Sequence, residues 1–172
     1  MGLRPARVYR NMDNKRPYTR RAITVHKKNF IKGVKGSKLR LFEMGTKKKY
    51  ALCLFLYSKK NVQIRHNALE AARVASTSYI KKKANFFFLK MLVYPHHILR
   101  EHAQAAIAQA DRFYQGMAHP FGKPKSTAAR VKTTQPIIKL YVDKDKLDDA
   151  KIALKRAGMK FPTGCKIKIC EE

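Results

Sequence analysis

Acidic side chains are scarce in this sequence: 11 Asp and Glu among 172 residues, against 39 Lys and Arg. Before residue 143 there are only Asp13, Glu43, Glu70, Glu101 and Asp111, so the paired carboxylates of hydrolytic acid–base chemistry have few places to form. Cysteine is also rare. Cys53, Cys165 and Cys170 are an odd number without a C-x-x-C spacing, which argues against a zinc ribbon or a disulfide framework and fits reduced thiols. No apolar run approaches the roughly 18 residues of a membrane-spanning helix, and MGLRPARVYR lacks the apolar segment of a signal peptide. The expectation is a soluble, cytoplasmic protein with no membrane partner.

Positive charge is in excess. The formal net charge is +28, well beyond the roughly 2 to 8 that keeps a small domain soluble. Such a chain repels itself unless it meets a polyanion. The charge is also uneven: residues 143–172 hold eight cations against six acids, a net of +2, which leaves +26 on residues 1–142. The C-terminal part therefore reads as solvent-facing and the remainder as partner-facing.

Residues 1–36 carry eleven Lys and Arg and a single acid, with Pro5, Pro17, Tyr9, Tyr18 and Phe30 interleaved and no sustained period. This composition cannot bury enough apolar surface to order itself, and it reads as an extended arm that orders on its polyanion. Arginines would meet phosphates and tyrosines would stack. Residues 37–172 read as one α+β domain. Strands are expected at 38–45 and 49–58, a helix at 65–84 with Asn67 and Glu70 as a capping box, and a strand at 85–95 with a short extended piece at 96–102. Strands at 128–131 and 136–143, a helix at 145–157 and a strand at 165–172 follow. The order is arm, ββαβ, basic loop, ββαβ: two helices on a mixed, largely antiparallel sheet.

Between the two halves lies DRFYQGMAHPFGKPKSTAARV, residues 111–131. Its GKPKST invites comparison with a phosphate-binding P-loop, but Pro124 stands where Ser or Thr should follow Gly122-Lys123, and Met117 stands where the first glycine should be. Adjacent His96 and His97 on an extended chain point to opposite faces, and no cysteine or H-E-x-x-H accompanies them, so they do not form a metal centre. Backbone binding remains: cations for phosphates, glycines for close approach, and Phe113, Tyr114 and Phe121 for stacking or anchoring. No short base-reading motif is present, which favours recognition of RNA shape and phosphate.

MGLRPARVYR, IRHNALEAARVAS (64–76), YPHHILRE (94–101), ADRFYQGM (110–117), FGKP (121–124) and TAARV (127–131), in this order, resemble the large-subunit ribosomal protein family called L-sixteen in bacteria and L-ten-e in archaea and eukaryotes. The likeness runs essentially end to end and is to the archaeal form. It implies a hammerhead-like α+β domain on large-subunit rRNA, near the peptidyl-transferase centre and the base of the central protuberance. It further implies a loop at about 102–120 that projects toward the tRNA acceptor arm, a part in late subunit assembly, neighbouring ribosomal proteins, and neither a cofactor nor a homo-oligomer. The chain departs from the family pattern in the alanine-rich approach at 105–110, where alanine favours helix over glycine by up to about 1 kcal/mol per residue. Ala118 and Ser126 depart as well, standing where Arg and Gly are common in the family.

The resulting expectation is a non-enzymatic ribosomal protein. Phosphate contact falls to Arg4, Arg7, Arg10, Lys15, Arg16, Arg20, Arg21, Lys27 and Lys28 of the arm, and to Arg65, Arg73, Arg100, Lys123, Lys125 and Arg130. Gln109, Ala110, Asp111, Arg112, Gln115, Gly116 and Met117 form the tRNA-proximal loop that the resemblance implies. The alternatives are an RNA-modifying or RNA-processing enzyme using Asp111, His96 or His97, and a chromatin-type DNA-binding protein.

Overall fold

Leu69, Ala72, Ser76 and Ile80 recur at the spacing of one helical face, and all are buried in a single helix, α1, spanning His66–Lys83. The computed structural model describes residues 4–12, 16–19, 31–101 and 122–171. Within them, β1 is Glu43–Gly45, β2 Leu52–Ser58, β3 Val62–Arg65, β4 Phe88–Met91 and β5 His97–Glu101. After residue 121 come β6 Lys123–Val131, β7 Pro136–Val142, helix α2 Leu147–Gly158 and β8 Cys165–Glu171. No described helix is long and apolar enough to cross a membrane.

The α+β expectation holds, with one revision of its sheet. The strands divide between two sheets, ordered β1-β4-β7-β2-β8 and β3-β6-β5, and every pairing is antiparallel. Register gives the larger sheet two unlike faces. Leu89, Leu140, Leu54 and Ile169 form one cross-strand row on the inner face, and Met91, Ile138, Leu56 and Ile167 form another. Leu54, Leu56, Leu89, Ile138 and Leu140 join Ala150, Ala153, Leu154 and Ala157 of α2 and Leu69, Ala72 and Ile80 of α1 in one core. Each large aliphatic side chain fully buried there contributes about 2 kcal/mol. The alanines of α2 let the two helices pack against each other, with Arg156 lying 4.1 Å over the Tyr79 ring.

Three local readings change. β3 runs directly into α1, so the helix begins at His66 and Asn67 lies inside its first turn; the N-cap is Arg65, without a side-chain capping bond. The capping box is therefore absent, and Glu70 turns to Arg73 instead. β3 itself was not expected, although Val62 and Ile64 alternate with Gln63 and Arg65. β6 begins at Lys123 rather than 128, because KPKST pairs with β5; a register shift at Leu99/Arg100 opposite Pro124 accommodates the missing proline N–H.

Candidate nucleic-acid interface

In the described parts of the arm, backbone and side chains are bonded to the smaller sheet. A 3-10 turn at Ala6–Val8 leads to Arg10, whose carbonyl accepts the Gln63 N–H at 2.8 Å on the outer edge of β3. The Gln63 amide group then donates to the carbonyls of Tyr9 and Asn11 at 3.0 and 2.6 Å. On the opposite edge, the Ile98 N–H donates to the Tyr18 carbonyl at 2.7 Å, while the Tyr18 N–H donates to His97 Nδ1 at 2.8 Å. Both exposed edges of a three-stranded sheet are thereby met by the arm, which blocks edge-to-edge pairing with another chain.

His66 does the same further along, accepting the Lys38 N–H on Nδ1 at 2.9 Å. An imidazole nitrogen can accept only while unprotonated. Burial, followed by nearby cations, lowers both histidines from the ordinary 6.5: Lys38 and Arg65 act on His66, and Arg130 and Arg100 on His97. His96 points the other way and is exposed, 4.5 Å from the Tyr94 ring, as opposite faces of an extended chain require.

Glu101, at the end of β5, is the focus of a small polar cluster. Arg4 Nε lies 3.9 Å from its carboxylate, and the Tyr9 phenol is pushed well above its ordinary value, first by burial and then by its hydrogen bond to Glu101. Arg65 stacks on Tyr9 at 5.8 Å and donates Nη1–H to the Arg4 carbonyl at 2.7 Å. Glu101 pairs with Lys123 across β5 and β6, so this cluster stands at the root of the 102–121 segment. Gly122 is obligatory here, because a Cβ would lie 2.5 Å from the Glu101 backbone.

The structure thus brings Arg4 and Arg10 of the arm beside Arg65, Lys123 and Arg130 of the small sheet and Tyr18 beside Arg100, with Arg7 and Arg16 next to these anchored points in the chain and Lys125 on β6. Arg7, Arg10, Arg16, Arg100 and Lys123 are exposed, and Arg100 covers the Tyr18 ring at 4.2 Å. Arg73 stands apart on α1, where its guanidinium grips both Glu70 oxygens at 2.8 and 2.5 Å. Lys15, Arg20, Arg21, Lys27 and Lys28 lie outside the described residues, as do Gln109, Ala110, Asp111, Arg112, Gln115, Gly116 and Met117. The expected projection at 102–120, and its helical character, lie there too.

GKPKST occupies a β-strand rather than a strand-to-helix turn, which removes the geometry a P-loop needs. Among the described residues no group of His, Cys, Asp and Glu is arranged to hold a metal. A groove of about 750 Å³ between α2 and β8 is lined by apolar side chains, and its Cys165 thiol is pushed up to about 11 by burial. A thiol so raised stays protonated and is a poor nucleophile.

The family model for ribosomal protein L16p/L10e matches residues 14–168. Relatives called large ribosomal subunit protein uL16 come from the archaea Archaeoglobus fulgidus, Hyperthermus butylicus and Staphylothermus marinus. The first is 44% identical, covering 98% of this chain and 94% of its own. The second is 42% identical, with 98% and 94% covered, and the third is 43% identical, with 97% and 93% covered. With a matched model spanning most of its length and relatives of this identity, the chain belongs to the L16p/L10e family of ribosomal proteins, a family of structural components and not of enzymes.

Proposed function

We propose that the chain is a structural constituent of the large ribosomal subunit that binds rRNA near the peptidyl-transferase centre and the base of the central protuberance. The observation that carries this reading is the convergence of arm and hairpin: Arg4, Arg10 and Tyr18 arrive beside Arg65, Glu101 and Arg100 from sequence positions far apart, and Arg16 and Lys123 are their near neighbours in the chain. Charge gathered in this way releases counterions when it meets phosphates. Arg7, Lys125 and Arg130 serve the same phosphate contact in this reading, as do Lys15, Arg20, Arg21, Lys27 and Lys28 from the rest of the arm sequence. Arg73, held by Glu70, serves α1 in this reading.

Residues 109–117, carried between β5 and β6, approach the tRNA acceptor arm, so the chain supports tRNA positioning and late subunit assembly. Its contribution to peptide transfer is positional. Neighbouring ribosomal proteins complete its surroundings.

Binding of the purified chain to a large-subunit rRNA fragment, titrated with salt, tests the phosphate mechanism. Affinity should fall steeply and linearly in log–log form, and a flat response would exclude it. Equal affinity for duplex DNA would favour a chromatin-type binder, and an RNA-cleaving or RNA-modifying activity lost in Asp111→Ala would favour an enzyme.

A further inference from the structure

The larger sheet has a second face, and its side chains differ from those of the core. Register places Lys90, Lys139, Phe55 and Lys168 in one row across β4, β7, β2 and β8, and Phe88, Tyr141, Cys53 and Cys170 in the next. Tyr57 and Lys166 form a third pair. No described helix or strand covers this face; Phe55, Tyr57, Phe88 and Tyr141 are half-buried, while Lys166 and Lys168 are exposed.

Aromatic rings and ammonium groups are interleaved here at contact distance. Lys139 Nζ lies 4.3 Å from the Tyr141 centroid and 5.2 Å from that of Phe55, and Lys168 Nζ lies 5.3 Å from that of Tyr57. Lys47 and Lys48 continue the pattern over Phe88, Tyr50 and Phe86 at 4.6 to 5.6 Å. The ring faces hold the ammonium groups without neutralising them. Among the described residues Glu43 is within 2.7 Å of both Lys47 and Lys90, and Asp143 is 3.0 Å from Lys48, while the Lys166 and Lys168 side chains are exposed.

This arrangement bears on the charge of residues 143–172. Their near-neutral sum conceals a division by face. Asp148 and Asp149 stand in the first turn of α2, whereas Lys166 and Lys168 alternate onto the open face beside Lys139. The open face is strongly positive, and it is studded with flat rings.

We propose that this face is a second RNA-contact surface, built for a single-stranded or unstacked RNA segment whose phosphates lie on the lysines and whose bases meet Tyr57, Phe55 and Tyr141. It rests on the reading of the chain as an rRNA-binding protein and adds a surface remote in sequence from the arm. Charge selects the polyanion, and rings at half exposure select nucleobases over carboxylates. An acidic protein segment would satisfy the lysines alone.

The chain contains no tryptophan, so Tyr57→Trp places a single reporter on this face and Met159→Trp places one at the end of α2, on the helical side of the sheet. A fluorescently labelled oligouridylate is followed by anisotropy and by quenching of each reporter. Saturable quenching of the residue-57 reporter, at the midpoint seen by anisotropy, is expected, with the residue-159 reporter unaffected. Lys166→Gln with Lys168→Gln should reduce the salt slope by roughly 0.7 per lysine, the single-strand value. Lys151→Gln with Lys155→Gln on α2 should leave it unchanged. The lysine pair carries the test if the reporter variant does not fold.

Binding of the oligouridylate without quenching at residue 57, or with the slope unmoved by the Lys166 and Lys168 changes, would overturn the surface. Equal quenching by a polyglutamate peptide would overturn it in favour of an acidic protein. Loss of oligouridylate binding while an rRNA fragment still binds would sink this proposal and leave the functional reading standing. Failure to bind either RNA would remove both.

Discussion

His97 Nδ1 accepts the Tyr18 backbone N–H at 2.8 Å across 79 positions of sequence, and next to it the Ile98 N–H donates to the Tyr18 carbonyl at 2.7 Å. One residue of the arm is thus fixed by two bonds, of which one depends on the protonation state of an imidazole.

That dependence gives a pH signature. His66 and His97 both lie below the ordinary 6.5 in the folded chain, so the unfolded chain takes up protons first as pH falls. Their contribution is fully present above about pH 6.5 and is lost progressively as the pH drops below it, toward the folded values. Each bond lost should cost about 1 kcal/mol. Urea midpoints measured at about pH 7.5 and about 5.5 should show the fall, and His97→Phe, less stable at neutral pH, should show a smaller one. Exchange of the Tyr18 amide should rise over the same interval beyond the change in the intrinsic rate.

Gly45 should tolerate no side chain. Its φ is +93°, and a Cβ would sit 2.0 Å from the Phe87 carbonyl oxygen, the acceptor of the Thr46 N–H at 2.9 Å. Gly45→Ala is expected to destabilise the fold by about 3 kcal/mol, read as a lowered thermal midpoint.

Arg73 and Glu70 should behave as a structural pair. The fork is partly buried, with side-chain exposures of 14% and 25%. A double-mutant cycle with Arg73→Ala and Glu70→Ala should give a coupling of about 1 kcal/mol in stability. The salt slope of rRNA binding should not change in Arg73→Ala, whereas it should become shallower in Arg100→Ala.

The three thiols should separate by reactivity. Cys170 is exposed, Cys53 is buried, and burial pushes Cys165 up to about 11. An aromatic disulfide reagent at about pH 8 should label one thiol quickly. Cys170→Ser should remove that fast phase and leave the slow ones.

Much of this architecture was legible from period alone. The stripe from Leu69 to Ile80 reappears as a buried face, Ile138, Leu140 and Val142 are buried where Lys139 and Tyr141 are half-buried, and the alternation in CKIKIC puts Ile167 and Ile169 beside Leu56 and Leu54, opposite Lys166 and Lys168. Less legible was anything decided by pairing over long separations. KPKST looks like a polar loop because its strand identity comes from β5, and the brief alternation of Val62 and Ile64 was obscured by the helix that starts one residue later. Composition likewise marked the arm as basic, yet gave no hint that buried His97 would hold it through an acceptor nitrogen, or that His66 would hold Lys38 in the same way. For the site, the cations were readable one by one. That Arg65 would reach the Arg4 carbonyl, that Arg73 would be taken by Glu70, and that Lys139 and Lys168 would share a face with aromatic rings all required the register.

The pairing of Glu101 with Lys123 closes residues 102–122 into the connection of a single hairpin. Once such a junction is made, lengthening what it encloses is inexpensive: each doubling adds only about 0.6 kcal/mol of closure entropy. The domain is therefore nearly indifferent to the length of that insert.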